Sequence, residues 1–335
     1  MTKVTKKYVY RIPGLVKILN LVLCSAWLTC HISAQDTESL SFYYNPVQSN
    51  PALSGTEGPG KLRLIYRDYY PGRSLNLHSF HCSYDSYLET IHGGFGLYVS
   101  ENIMGDLLNE LRAGAAYSYH LRAGRDLYVN AGFMASVINR SIDAGNIILP
   151  DQVDPLLGPV LISNETISSE SRTVFDAGIG FMVSYRNYHM GASVNHIFKP
   201  DITGSRKEEG NPGRRLSVHG AAAFYPGTAD LSLAPGFVIN VQNNNIICAV
   251  GTSVSYKDLS VNLLPYFSPG NNLSFVQSGL HYKTGRVELG YNYNFAPLSN
   301  EKLLPLTLSN QVYIAVVLNN VEKRDLIKAI IYPKM

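Results

Sequence analysis

Gly251-Thr252-Ser253-Val254-Ser255 is the closest this chain comes to a serine-hydrolase elbow. That chemistry needs Gly-x-Ser-x-Gly, so that the nucleophile stands on a sharp exposed turn, and here the second glycine is missing. His78, His81 and His92 are near neighbours in sequence, and imidazole is a common metal ligand. An extended backbone, however, sends His78 and His81 to opposite faces, so they read as solvated lumen or turn histidines. Gly93-Gly94-Phe95-Gly96 lacks the spacing of a dinucleotide loop and reads as relief of crowding at a strand start. Asp143, Asp151 and Asp154 have the right oxygens for a cation, but a long loop is where solvated carboxylates are the default. Glu208 and Glu209 sit beside Arg206 and Lys207 and read as ordinary surface charge. No catalytic, cofactor-binding or metal-binding residue is assigned, and the expectation is a non-enzymatic chain without a cofactor.

Composition points the same way. The chain has 335 residues, a net charge of +3 and only 16% charged residues, against about 25% in soluble proteins. Tyrosine, with 23 copies, dominates the aromatics. So small a charge, without a basic helix or an aromatic-interleaved basic patch, argues against nucleic acid as a partner.

The N-terminus reads as an export signal. Lys3, Lys6, Lys7, Arg11 and Lys17 precede an apolar run from Ile18 to Leu28, broken by Asn20 and Ser25. Ile32-Ser33-Ala34 offers a small residue before Gln35, so residues 1–34 are expected to be a signal peptide. The alternative, an uncleaved anchor helix, meets the objection that the run is short for a span of roughly 20 residues. Leu23 and Thr29 are poor neighbours for lipoprotein processing at Cys24 or Cys30. Those two cysteines leave with the signal; Cys82 and Cys248 remain, with one disulfide arithmetically open to them. Beyond residue 34 no stretch is long enough for a helical span, so the exported chain is either soluble or a barrel.

The elements are strands. Phe175, Ala177, Ile179, Phe181 and Val183 alternate with Asp176, Gly178, Gly180, Met182 and Ser184. Val287, Leu289, Tyr291, Tyr293 and Phe295 alternate with Glu288, Gly290, Asn292 and Asn294. Period two gives each segment one greasy face and one polar or small face. About fourteen segments follow, near 61–69, 74–85, 93–101, 108–122, 126–140, 173–187, 188–199, 214–226, 229–242, 245–257, 259–268, 272–284, 286–296 and 308–321. Most have the length of roughly 9 to 11 residues, or more, that a tilted membrane strand needs. Connections after even strands are short, as at 122–125, 186–188, 226–228, 257–258 and 283–286. Those after odd strands include the long stretches 141–172, 200–213 and 297–307, and this is the alternation of an outer-membrane barrel. A soluble β-sandwich also alternates. Against it, Arg112, His120, Asp176, His219 and Glu288 suit a hydrated lumen, while Tyr117, Tyr119, Tyr185, Phe224, Tyr225 and Tyr313 suit aromatic girdles ending the apolar faces.

The stretch Tyr43-Tyr44-Asn45-Pro46-Val47-Gln48-Ser49-Asn50-Pro51-Ala52-Leu53-Ser54-Gly55 resembles the N-terminal signature of the PorP/SprF family. Its two Asn-Pro units are expected to hold the backbone extended or turned and to exclude helix. Tyr66-Arg67-Asp68-Tyr69, Ser83-Tyr84-Asp85, Tyr117-Ser118-Tyr119-His120-Leu121 and Gly191-Ala192-Ser193-Val194-Asn195-His196 follow in the family's order. The resemblance covers roughly residues 43–320. It implies an integral outer-membrane protein of type IX secretion in Bacteroidetes, paired with the secretion machinery and with export or surface attachment of gliding adhesins.

The expected architecture is therefore all-β: a signal peptide (1–34), an N-terminal periplasmic segment (35–60), a transmembrane antiparallel β-barrel in outer-membrane lipid (61–321) and a basic tail (322–335). The competing function for such a barrel is passive diffusion of small or hydrophobic solutes.

Overall fold

The computed structural model describes residues 43–71, 76–143, 153–154, 158–159, 169–202, 211–226, 230–243, 245–268, 271–295 and 308–318. The expected signal peptide, the basic tail, and residues 203–210 and 296–307 of the long connections lie outside the described residues, as does most of 144–168.

Alternating β-branched and aromatic residues build fourteen strands. They are β1 (Lys61–Tyr69), β2 (Leu77–Leu88), β3 (Gly93–Met104), β4 (Leu108–Arg122), β5 (Leu127–Ile142), β6 (Glu170–Tyr185) and β7 (Tyr188–Asn195). Then come β8 (Arg215–Ala222), β9 (Leu231–Gln242), β10 (Asn245–Tyr256), β11 (Leu259–Ser268), β12 (Asn271–Thr284), β13 (Val287–Phe295) and β14 (Ser309–Val317). Each pairs antiparallel with its chain neighbours, and β14 closes on β1 in a register running from Lys61↔Val317 to Tyr69↔Ser309. A small separate pair, Val153–Asp154 with Gly158–Pro159, lies in the connection between β5 and β6.

The two faces differ as the alternation demands. Phe175, Ile179 and Phe181 of β6 are exposed, Phe175 at 74%, while Asp176, Met182 and Ser184 between them are buried. Leu289, Tyr291 and Tyr293 of β13 are likewise exposed, with Asn292 and Asn294 buried. A continuous apolar exterior over a polar interior is the inverse of a soluble protein, and it is stable only where lipid solvates the outside.

Two expectations need correction. Tyr313 does not sit on the outer face but points inward at 2% exposure, because the inward row of β14 is Ser309, Gln311, Tyr313 and Ala315. The connection pattern is also less regular than expected. The long connections do share one end of the barrel, but Met104 to Leu108, Gln242 to Asn245 and Ser268 to Asn271 close tightly at that same end. Cys82 and Cys248 are free, on β2 and β10, which are not neighbours in the wall.

Replacing Ile179, midway along the exposed row of β6, with arginine puts a charge into hydrocarbon. Ile179→Arg is expected to lower stability by about 2–4 kcal/mol, and a charge near the strand ends by about 0–1 kcal/mol. Urea unfolding of the barrel in lipid vesicles measures the difference.

Candidate functional site

The inward rows carry side chains that hydrocarbon would not tolerate: Asn130, Ser193, Asn195, His219, Asn262, His281 and Asn292 are all buried. Buried polar groups need partners. Those partners are supplied by residues 43–57, which occupy the interior of the barrel as a plug. They are most of the described part, 43–60, of the 35–60 segment that precedes the barrel.

The plug begins with two tyrosines. Tyr44 Oη donates to Asn292 Oδ1 at 2.7 Å and accepts from Asn262 Nδ2 at 2.7 Å. Its ring stacks on His281 with centroids 5.4 Å apart and tilts against Tyr313 at 5.6 Å. Burial pushes the Tyr44 hydroxyl well above the ordinary tyrosine pKa, so it remains a neutral donor. Tyr43 joins an apolar cluster with Val238, Ile247, Ala249, Leu264, Tyr266 and Phe275.

Helix is present where the two Asn-Pro units led us to expect none. Asn45 (φ −116°) and Asn50 (φ −148°) are non-helical, as residues before proline should be. Each proline then opens a turn: Pro46–Ser49 is a short helix, α1, and Pro51–Leu53 is a 3-10 turn. Proline suits the first helical position because its missing N–H would have no partner there. Asn50 caps the second turn, accepting from the Ala52 N–H at 2.9 Å, and places its Nδ2 at 2.9 Å from His219 Nε2.

Backbone carbonyls of the plug meet the wall in turn. Ser193 Oγ donates to Ser49 O at 2.8 Å, Ser118 Oγ to Ala52 O at 3.1 Å, and Asn130 Nδ2 to the same carbonyl at 3.3 Å. Val47 packs against Tyr98, Ala116 and Met134, and Ala52 and Leu53 against Met182. Close passage requires missing side chains: a Cβ at Gly132 would collide with the backbone of Pro51 and Ala52, and one at Gly94 with Ser54. The crowding read into Gly93-Gly94-Phe95-Gly96 is thus the plug itself.

Charge latches the exit of the plug to the wall. Glu57 bridges Lys61 at 2.9 Å and Arg63 at 2.7 Å. Arg63 pairs with Asp85, whose Oδ2 also accepts the Gly55 N–H at 2.8 Å, and Lys61 reaches Glu288 at 3.1 Å.

The residues weighed for chemistry are not gathered. Ser253 is buried on β10, His81 points inward, His78 sits on the opposite face, and His92 caps the turn before β3 with φ +50°. Asp143 is described, while Asp151, Glu208, Glu209 and the side chain of Asp154 lie outside the described residues. Among the described residues no group of three or more His, Cys, Asp or Glu could hold a metal. Sequence reasoning placed His120 and His219 on the inner face but missed that they bond the plug, and it missed the Asp176–His196 pair, 2.6 Å apart. The one available signal for the plug was the Tyr43–Gly55 stretch, which period-two alternation does not place in space.

The family described as type IX secretion system membrane protein PorP/SprF matches residues 32–305, from the segment feeding the plug to beyond the thirteenth strand. This chain belongs to the PorP/SprF family. It is an integral outer-membrane protein and a membrane component of type IX secretion. No curated protein sequence matches it. Among solved structures, Omp33 of Acinetobacter baumannii is similar at 8% identity and a TM-score of 0.47, covering 79% of this chain and 100% of that one. The toluene transporter TodX of Pseudomonas putida is similar at 13% identity and a TM-score of 0.45, covering 88% and 95%. A FadL homologue of Pseudomonas aeruginosa stands at 11% and 0.43, covering 82% and 91%.

Arg63 and Asp85 are both fully buried, so removing the carboxylate leaves the guanidinium with Glu57 alone and takes the acceptor from the Gly55 N–H. Asp85→Ala is expected to cost about 3–5 kcal/mol. Urea unfolding reads that loss, and limited proteolysis of residues 43–60 shows whether the plug is released with it.

Proposed function

We propose that this PorP/SprF protein works as a plugged platform, assisting export or surface attachment of an adhesin-type cargo, and that it is not an enzyme. One observation carries the reading: residues 43–57 are bonded to the inner wall from β1 round to β14, which suits a barrel used for its surfaces. In this arrangement the connections at the long-loop end, chiefly 144–168 and 203–210, face the cell exterior and recognise cargo. The short-turn end, where the plug leads into β1, faces the periplasm and the secretion machinery, together with the basic tail 322–335. The signal peptide 1–34 would deliver the chain there.

The competing use, passive diffusion of small or hydrophobic solutes, needs an open passage. Plug contacts around the circuit weigh against it.

Two measurements test the assignment. Deleting residues 144–168 is expected to leave the barrel inserted while abolishing surface display of the adhesin; unaltered display would remove the role given to that connection. In planar bilayers, the intact protein is expected to show no steady conductance, whereas Gly132→Val, which drives a side chain into Pro51 and Ala52, opens one. A wild-type barrel that conducts steadily supports the diffusion reading instead.

A further inference from the structure

The outer wall is not smooth. On the lipid face of β6 to β10 lies a recess of about 890 Å3, inside the range of about 300–1,000 Å3 usual for small-ligand pockets. Its floor is Ala192, Gly220 and Ala222, and Met190 and Phe237 rise on either side of Gly220.

The hollow has a backbone cause. β7 and β8 are the shortest strands of the wall, at 8 residues each. The β8–β9 ladder runs only from Leu216↔Val241 to Ala221↔Gly236. Next on β9 is Pro235, which has no N–H to donate, and pairing resumes only as the single bridge Phe224↔Leu233. From the lumen side the plug braces this thin wall. Tyr43 Oη donates to Phe237 O at 2.9 Å, and Asn50 lies 2.9 Å from His219. The recess is therefore pre-formed and does not depend on a ligand to shape it.

Its two ends differ in chemistry. The floor and sides are apolar, as a hydrocarbon chain requires. At the short-turn end stand Tyr185 and Tyr188, both about half exposed, and between them the turn carries Arg186. The Arg186 guanidinium lies 5.2 Å from the Tyr185 ring centroid. Its other contact is Asp126 at 3.4 Å, with side chains 64% and 43% exposed, and a pair so open to solvent holds the cation weakly. A greasy channel ending in amphipathic rings and a cation complements one kind of molecule in a membrane, a phospholipid lying along the wall.

We infer that this recess is a phospholipid site, with one acyl chain over Ala192, Gly220 and Ala222 and the phosphate on Arg186. It holds a particular lipid through exchange with bulk lipid or detergent.

Native mass spectrometry of the full chain, purified from membranes and exchanged into fresh detergent, tests this. The wild type is expected to retain one phospholipid. Ala192→Phe fills the floor and should lower the retained fraction about ten-fold, and Arg186→Gln should lower it less, about three-fold. Ala135→Phe, on the lipid face of β5 away from the recess, should retain lipid as the wild type does. Should Ala192→Phe fail to insert, Ala222→Leu reads the same quantity. A photoreactive side chain at Met190 is expected to couple to phospholipid in the native membrane. Equal retention in wild type and filled variants overturns the site, as does coupling at Met190 to a protein in place of lipid.

Discussion

Hydrocarbon offers no hydrogen bonds, so every peptide N–H and C=O in the membrane must find its partner within the chain. Closure of β14 on β1 meets that demand, because an open sheet would leave two unpaired edges in lipid. Much else follows from it. A closed wall has an inside, and the pleat that turns Leu289 and Tyr291 to lipid necessarily turns Asn292 and Asn294 inward.

The inside then poses a second problem of polar satisfaction. Rows of Asn, Ser and His, withdrawn from solvent, are stable only if something bonds to them. A fifteen-residue N-terminal stretch answers this with its own backbone carbonyls and with Tyr44 and Asn50, and the glycines at 94 and 132 leave it room. Plug and inner wall are thus one polar network. A connected network of this kind is worth more than isolated pairs suggest, and a single deletion within it is correspondingly costly.

Much of this was legible in the sequence. Alternation alone placed β4 at 108–122 and β11 at 259–268, the bounds observed. Where it overran, the backbone explains why: His196 (φ +57°) and Lys199 (φ +47°) carry the chain out of β7 after Asn195, short of the expected 199. Tyr313 was misplaced because aromatics suit both a girdle and a stacked interior, and only Tyr44 and His281, distant in sequence, decide between them. The plug was visible as a motif and invisible as an object. Its contacts span the entire chain, and no local period encodes which strand Asn50 will meet. Proline before a helical turn and proline in extended backbone also look alike until the following residues are placed.

The long reach of Tyr44 to Asn292, 248 positions along the chain, has a bearing on biogenesis. The N-terminal stretch precedes β1 in the chain, yet the residues that hold Tyr44 lie on the last four strands, β11 to β14. Loop-closure entropy makes such contacts late and slow. The stretch must already lie on the concave side of the growing sheet when the final seam zips, since a finished cylinder admits it only by threading from one mouth. Assembly therefore has an order built into it, with the N-terminal stretch in place before β14 closes on β1.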